Sequence, residues 1–200
     1  LVYGKPVTIC LDPIEKKPLY HFYPGSSVLS FGTVGCNLKC KHCQNWSISQ
    51  ASPGEYPLEE VSAASIPNLA KKYKCSGVAW TYNEPTIWYE FTYDCSKIAK
   101  ENALYTVYVT NGYINEEPLR KISQYLDAMN IDVKAFKQDF YTKVCGGKLQ
   151  PVLDTCILAK ELGIHIELTY LVIPEYNDKK EDFDSFSKWT AEKLSSDTPV

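Results

Sequence analysis

Short apolar runs alternate with longer stretches of helical period along most of this chain. Five of these runs are rich in Val, Ile and Tyr and are bounded by Gly, Asn or Pro, which is typical of strands buried in a sheet. They predict β-strands at residues 27–33, 77–81, 105–109, 129–133 and 165–172.

The stretches between these runs carry apolar residues at every third or fourth position, which predicts amphipathic helices. The clearest stripes are Ile87, Phe91, Cys95 and Ile98; Leu119, Ile122 and Leu126; Val152, Cys156, Ala159 and Leu162; and Phe183, Phe186, Trp189 and Leu194. Gly163 stops the third stripe, and Pro67 starts or kinks a further helix within residues 62–74. This alternation of strand and helix favours a parallel α/β sheet, either open or curled towards a barrel.

Residues 1–26 have no helical period and contain four prolines, so we interpret them as an irregular or hairpin-like N-terminal lead-in. We find no linker or low-complexity segment, and a single domain over residues 1–200 is the simplest organisation. The chain begins at Leu1 without a methionine and ends at Val200 just after a helical segment. We interpret this as truncation at both ends, before a further strand.

Composition and charge argue against several classes of partner. The 200 residues are 44% hydrophobic and 22% charged, with a net charge of −3, as in an ordinary soluble globular protein. No basic stripe suggests a nucleic-acid partner, and no apolar run is long enough to span a membrane. Because the eight cysteines are too dispersed for a disulfide scaffold, we expect a reduced, cytoplasmic protein.

Three cysteines stand close together after the first predicted strand. Cys36, Cys40 and Cys43 form a C-x3-C-x2-C motif in a polar loop. Three thiolates can hold a [4Fe–4S] cluster and leave one iron open to another ligand, which indicates chemistry at the cluster. A zinc site is the alternative, with His42 beside Cys43, although no second ligand pair follows at finger-like spacing. We interpret Cys145 as a loop residue, the alternative being a substrate-side thiol.

Polar residues also follow the other predicted strands. Parallel α/β folds bind ligands at the carboxyl ends of their strands, and the cysteine motif lies at such an end. The polar residues at the remaining strand ends are those at 81–84 and 110–111, Asp132, Lys134, Glu175 and Asn177. Because they recur at one edge of the sheet, we expect a large polar pocket beside the cysteines.

Each of these groups also has a purely structural interpretation. The segment 83–85 (Asn-Glu-Pro) is typical of a helix start, and the segment 110–112 (Thr-Asn-Gly) is typical of a plain turn. Asp132 lies in an otherwise apolar strand, where a charge is costly unless it is paired. An ion pair with Lys134 or Lys148 would satisfy it.

The cysteine motif, with His42 at its aromatic position, resembles the C-x3-C-x-Φ-C signature of the radical SAM superfamily. Over nearly all its length the chain is similar to the pyruvate formate-lyase-activating enzyme group, most closely the AmmeMemoRadiSam-type enzymes. The supporting phrases are DPIEKKPL at 12–19, CQNW at 43–46, TYNEPT at 81–86, VTNGY at 109–113 and LVIP at 171–174. The resemblance implies a partial (β/α)6 TIM-like barrel with parallel strands, lacking its last strand in this chain.

The resemblance also implies cofactors and the residues that bind them. Cys36, Cys40 and Cys43 would hold three irons of a [4Fe–4S] cluster, and S-adenosylmethionine would chelate the fourth. The other cofactor-binding residues implied are His42 near the adenine, Asn83 and Glu84 near the methionine amino group, and Asn111, Asp132 and Lys134 on the ribose and methionine side. It implies no catalytic acid or base.

The implied activity is reductive cleavage of S-adenosylmethionine to a 5′-deoxyadenosyl radical that abstracts hydrogen, as in glycyl-radical-enzyme activases. The implied partners are a flavodoxin- or ferredoxin-like electron donor and a protein substrate such as a glycyl radical enzyme. Two alternatives stay open: a radical SAM enzyme that modifies a small molecule or another protein residue, and a non-catalytic iron–sulfur or zinc protein.

The chain departs from the activases at two positions. Val109 stands where they carry an acidic residue that helps to hold a monovalent cation. Thr169 stands where they carry an arginine directed towards the cosubstrate carboxylate.

Overall fold

A six-stranded sheet forms the centre of the molecule, for which this computed structural model describes residues 2–200. The strands are β1 (Thr8–Pro13), β2 (Ser27–Gly32), β3 (Gly77–Trp80), β4 (Tyr105–Thr110), β5 (Ala128–Asp132) and β6 (His165–Thr169). They lie side by side in sequence order, with β1 antiparallel to β2 and every other neighbouring pair parallel.

Helices fill the connections between the strands. They are α1 (Trp46–Ser49), α2 (Ile66–Lys72), α3 (Tyr89–Glu101), α4 (Glu116–Ile122), α5 (Gln138–Phe140), α6 (Gln150–Glu161) and α7 (Lys180–Lys193). Short 3-10 turns occupy Ile14–Lys16, Ala63–Ser65, Pro85–Trp88 and Ser123–Tyr125, and α5 runs directly into a π-helical turn at Tyr141–Cys145. Among the described residues, no helix is both long enough and apolar enough to cross a lipid bilayer.

The predicted α/β alternation is confirmed, and four of the five predicted strands match to within one residue at each end. The fifth is shorter than predicted, because the backbone after Thr169 bonds to a buried asparagine instead of a neighbouring strand. The side chain of Asn177 accepts from the Ile173 N–H at 2.6 Å and donates to the Leu171 carbonyl at 2.9 Å. Pro67 lies in the first turn of α2 and so starts that helix.

The main core lies between the helices and one face of the sheet. Phe31, Trp80 and Tyr108 project from neighbouring strands into this layer and are almost fully buried. Phe91 on α3 and Cys156 on α6 meet them from the helical side, as the predicted apolar stripes require. Burial of this layer is the main source of folding free energy.

The lead-in is not irregular throughout, because Thr8–Pro13 forms β1. This strand pairs with β2 from Thr8 opposite Gly32 to Pro13 opposite Ser27, which agrees with the hairpin-like interpretation. Pro13 is tolerated there because β1 is an edge strand and its final residue needs no ladder donor. The half-exposed burial pattern of β1 explains why its sequence carries little strand signal.

The rest of the lead-in covers the second face of the sheet. Ile14 and Leu19 are fully buried against inward-facing residues of the strands, including Val28, Val107 and Ala128. These strand residues alternate with those of the main core, so they point to the face opposite the helices. The lead-in therefore fills the space on the inner side of the curved sheet.

We expect Leu19→Ala to lower the free energy of unfolding by about 2–5 kcal/mol, because it leaves a cavity in this inner layer. Urea denaturation followed by circular dichroism measures the change. The neighbouring Tyr20→Ala is the matched control, since Tyr20 is 59% exposed, and it should cost less than about 0.5 kcal/mol. Equal effects of the two changes would show that the lead-in does not fill the sheet interior.

Candidate active site lined by the cysteine motif

A cavity of about 610 Å³ opens at the carboxyl edge of the sheet, where β3, β4, β5 and β6 end. Its wall includes the predicted site residues Cys36, Cys40, His42, Cys43, Asn83, Asn111, Asp132 and Lys134. Glu84 lies behind the wall, and Glu175 and Asn177 do not line the cavity. The structure thus brings the cysteines and the polar strand ends together at one edge.

The cysteine loop, residues 33–45, is tied to the end of β3 by one side chain. The Asn83 Oδ1 accepts from the Thr33 N–H at 3.1 Å, and its Nδ2 donates to the Gly35 carbonyl at 2.8 Å. The amide of Asn83 is therefore used to position the loop. A glycine at this position could not make either bond.

A second tie holds the loop against the π-helical turn. The Lys39 N–H donates to the Cys145 carbonyl at 2.8 Å, and the Lys41 N–H donates to the Val144 carbonyl at 2.9 Å. The interpretation of Cys145 as a loop residue is wrong, since it ends the π-helical turn and is fully buried. Single π-helical turns of this kind are frequent at functional sites.

Hydrogen-bond donors surround the sulfur of Cys36. The Leu38 N–H lies 3.5 Å from this sulfur, and the Asn111 Nδ2 lies 3.7 Å from it. The same Asn111 nitrogen donates to the Asn37 Oδ1 at 2.8 Å. Burial raises the pKa of Cys36 to about 11, so metal binding is needed to hold this group as a thiolate at neutral pH.

Cys40 has a different environment. Its Sγ, the Cys145 Sγ and a ring nitrogen of His42 all lie within 4.8 Å of one another. The hydrogen bond from Cys145 lowers the pKa of Cys40, and the positive charge of Lys134 acts in the same direction. Burial lowers the pKa of His42, which keeps its ring neutral.

The residues around the cavity fit a [4Fe–4S] cluster with a polar cosubstrate. The irons of a four-iron cube sit at separate corners, so three cysteine ligands need not converge on one point as they must for a single ion. Two buried atoms at the cavity, the His42 Nδ1 and the Asp132 Oδ1, have no hydrogen-bond partner among residues 2–200. Since buried polar atoms are normally paired, these two indicate that a ligand completes the site.

Glu84 is fully buried and joins the ends of β3 and β4. Its carboxylate accepts from the Thr86 N–H at 3.1 Å, the Thr86 hydroxyl at 2.7 Å, the Thr110 hydroxyl at 2.8 Å and the Asn111 N–H at 2.8 Å. Burial raises the pKa of Glu84, while these hydrogen bonds act to lower it. Glu84 therefore holds the segments that follow β3 and β4 together.

The charge of Asp132 is paired, as its place in an apolar strand requires. The Lys134 Nζ lies 2.5 Å from the Asp132 Oδ2, so Lys134 is the partner and Lys148 is not. Burial alone would lower the pKa of Lys134, but the adjacent carboxylate outweighs it and raises that pKa. Lys134 therefore remains charged at the cavity wall at neutral pH.

A further part of the cavity wall comes from the lead-in and was not predicted as part of the site. Lys16, Lys17 and Pro18 line the cavity, and both lysines donate to the buried Asp12 carboxylate at 2.7 Å. The Tyr82 hydroxyl donates to the same carboxylate at 2.5 Å, and the Lys17 Nζ lies 4.5 Å from the centre of the Tyr82 ring. Burial opposes ionisation of Asp12, but these hydrogen bonds hold its pKa well below the usual range.

The sequence signal for this part of the wall was the DPIEKKPL phrase, which places two acids near two lysines in a segment that also carries the buried Ile14 and Leu19. The two departures from the activase pattern also face the cavity. Val109 and Thr169 both line it, and the Thr169 hydroxyl exchanges hydrogen bonds with the Asn130 amide at 3.0 and 3.1 Å. Neither residue supplies a charge there.

Comparison with known proteins identifies the family, since residues 31–186 match the radical SAM superfamily. The chain therefore belongs to that superfamily, whose members use a [4Fe–4S] cluster and S-adenosylmethionine. Its relatives include the uncharacterised protein MJ0808 of Methanocaldococcus jannaschii, 50% identical over 198 residues, and the pyruvate formate-lyase-activating enzyme of Clostridium pasteurianum, 23% identical over 154 residues.

These matches cover 99% and 74% of this chain but 59% and 63% of the two relatives, so the chain spans about six-tenths of their length. Solved structures with a similar fold include the following two. Streptococcus suis SuiB bound to S-adenosylmethionine matches 83% of this chain and 39% of its own, with a TM-score of 0.63 and 15% identity. Escherichia coli QueE matches 98% of this chain and 80% of its own, with a TM-score of 0.57 and 12% identity. They confirm the predicted fold class, a partial TIM-like barrel.

We expect Glu84→Gln to lower the free energy of unfolding by about 1–3 kcal/mol, because an amide NH2 would replace one acceptor among groups that all donate. Chemical denaturation monitored by tryptophan fluorescence measures this loss. Glu101→Gln, an exposed change of the same kind at the end of α3, should leave stability within about 0.5 kcal/mol. If both variants unfold at the wild-type midpoint, Glu84 does not anchor the two strand ends.

Proposed function

We propose that this chain is the core of a radical SAM enzyme that abstracts hydrogen from a protein substrate, such as a glycyl radical enzyme. The observation that carries the proposal is the single cavity lined both by the three motif thiols and by the polar ends of four strands. A cysteine cluster that only stabilised the fold would not need such a cavity. The similarity to pyruvate formate-lyase-activating enzymes supports the protein substrate.

In this proposal Cys36, Cys40 and Cys43 hold a [4Fe–4S] cluster. When bound, the cluster and S-adenosylmethionine supply an electron and a 5′-deoxyadenosyl radical. The Leu38 N–H and the Asn111 amide would donate to the Cys36 thiolate, and such bonds help to set a cluster's reduction potential.

The polar wall beside the thiols would hold the cosubstrate. The Asp132 Oδ1 is buried without a partner among the described residues, so it can accept from a hydroxyl or an amino group. The nearby Lys134 ammonium can hold a carboxylate, which offsets the lack of an arginine at Thr169. Asn83 and Glu84 would act by positioning the loop and the strand ends, and His42 would lie near the adenine.

An acidic electron carrier would reach the cluster across the cysteine loop. Lys39 and Lys41 are exposed on either side of Cys40, and such charges speed the approach of an oppositely charged partner. We propose a flavodoxin- or ferredoxin-like donor for this role. None of the eight cysteines forms a disulfide, which suits a reducing compartment such as the cytoplasm.

A second candidate is a radical SAM enzyme that modifies a small molecule or another protein residue. It is favoured by Val109 and Thr169, which replace two charged residues of the activases at the cavity wall. The two candidates share the cluster and the cosubstrate, and they differ only in what enters the cavity.

The test is anaerobic reconstitution with iron and sulfide, followed by electron paramagnetic resonance of the reduced protein. We expect a [4Fe–4S]⁺ signal that shifts when S-adenosylmethionine is added, together with formation of 5′-deoxyadenosine. The Cys36→Ser variant should lose both, whereas Cys75→Ser should retain both, since Cys75 lies outside the cavity. A cluster whose signal ignores S-adenosylmethionine would refute the proposed activity.

We expect Asp132→Asn to weaken S-adenosylmethionine binding by about 10- to 100-fold, which corresponds to losing a charged hydrogen bond of about 1.5–3 kcal/mol. The iron content and the visible spectrum of the cluster should not change. Isothermal titration of the reconstituted protein measures the affinity, with Asp139→Asn on the exposed surface as the control. Unchanged affinity would remove Asp132 from the cosubstrate site.

A further inference from the structure

A second group of side chains that could hold a metal ion lies partly outside the cysteine motif. The Cys40 Sγ, the Cys145 Sγ and a ring nitrogen of His42 lie within 4.8 Å of one another. Two cysteines and one histidine are a donor set that Zn²⁺ prefers, and three protein ligands leave its fourth position for water. Cys40 belongs to the motif, but Cys145 is distant in sequence and reaches the site only through the fold.

The fold holds these donors close together. Two backbone hydrogen bonds, from the N–H groups of Lys39 and Lys41, fix the cysteine loop against the π-helical turn that carries Cys145. Gly146 then turns the chain with a φ of +75°, in the left-handed region that favours glycine. Cys145 is therefore presented to Cys40 by backbone geometry, which lowers the entropic cost of forming a metal site.

The histidine supplies an independent indication of a ligand. The His42 Nδ1 is buried without a hydrogen-bond partner among residues 2–200, and its ring packs against Phe140 with centroids 5.7 Å apart. An unpaired buried nitrogen costs free energy unless something binds it. The nearest cation, Lys134, is paired with Asp132, so the local charges balance and do not exclude a metal ion.

We propose that Cys40, His42 and Cys145 bind Zn²⁺ in the cluster-free protein. Binding displaces the protons of the two thiols and requires no change of oxidation state. Because Cys40 would be shared with the [4Fe–4S] cluster, the zinc form and the cluster form exclude one another. The zinc site stands on the geometry alone, whereas the mutual exclusion rests on the proposed function.

The experiment compares two serine variants with opposite expected effects. The 200-residue chain is stripped of metal under anaerobic conditions and titrated with Zn²⁺ against a chromophoric chelator, and Co²⁺ then reports thiolate ligands by its charge-transfer absorption. Cys145→Ser should weaken zinc binding by about 100-fold or more, since even groups that only orient ligands are worth about 10–100-fold. Cys36→Ser and the control Cys75→Ser should bind zinc like the wild type.

Reconstitution with iron and sulfide should give the reverse pattern, with a cluster in Cys145→Ser and none in Cys36→Ser. Prior loading with zinc should block cluster formation in the wild type and not in Cys145→Ser. Circular dichroism checks that the Cys145→Ser variant is folded. If that variant does not fold, His42→Gln tests the proposal instead, because it removes another of the three zinc ligands.

Tight zinc binding by Cys145→Ser, or an equal loss of zinc in Cys36→Ser, would overturn the proposal, because zinc would then use the motif cysteines. Loss of both zinc and cluster in folded Cys145→Ser would overturn it too, since Cys145 would then serve the cluster. A wild type that forms no cluster but shows the expected zinc pattern would refute the radical function and support the zinc site.

Discussion

The buried carboxylate of Glu84 is the constraint on which the geometry of the site depends. Glu84 follows the end of β3. It accepts hydrogen bonds from the hydroxyl of Thr110, the last residue of β4, and from the N–H of the next residue, Asn111. Asn111 is held in this way so that its side-chain amide can donate to the Cys36 sulfur. Its neighbour Asn83 ties the cysteine loop to the same strand end. One buried side chain thus helps to fix the spacing between the cysteine loop and the polar strand ends.

The sheet and much of the site could be predicted from the sequence, because both depend on local patterns. Buried parallel strands must be apolar along nearly their whole length, so the runs around Val78, Val107 and Ile131 could be recognised directly. The same rule made Asp132 conspicuous, since an acid in such a strand requires a partner. The spacing of three cysteines in a polar loop likewise needs no tertiary information.

The features that could not be predicted are those created by contacts between distant segments. Strand β1 is half exposed and ends in a proline, so only its pairing with β2 reveals it. Cys145 looks like part of a Gly-rich loop in sequence, and the π-helical turn that brings it to Cys40 has no simple sequence pattern. The sequence around Glu84 indicated a helix start. Its second role, which is to hold the end of β4, depends on hydrogen bonds from Thr110 and Asn111 and could not be predicted from the local sequence.

Tyr82 links the lead-in to the cysteine loop at the cavity. Its hydroxyl donates to Asp12 in the lead-in, while its carbonyl accepts from the Asn45 amide in the cysteine loop at 2.7 Å. Its backbone has a φ of +73°, which a tyrosine rarely adopts, so these contacts must offset that strain. Separating the lead-in from the cysteine loop would break one of these contacts, so together they favour the present opening of the cavity. With that opening, a large substrate would reach the site through an extended segment or a projecting side chain.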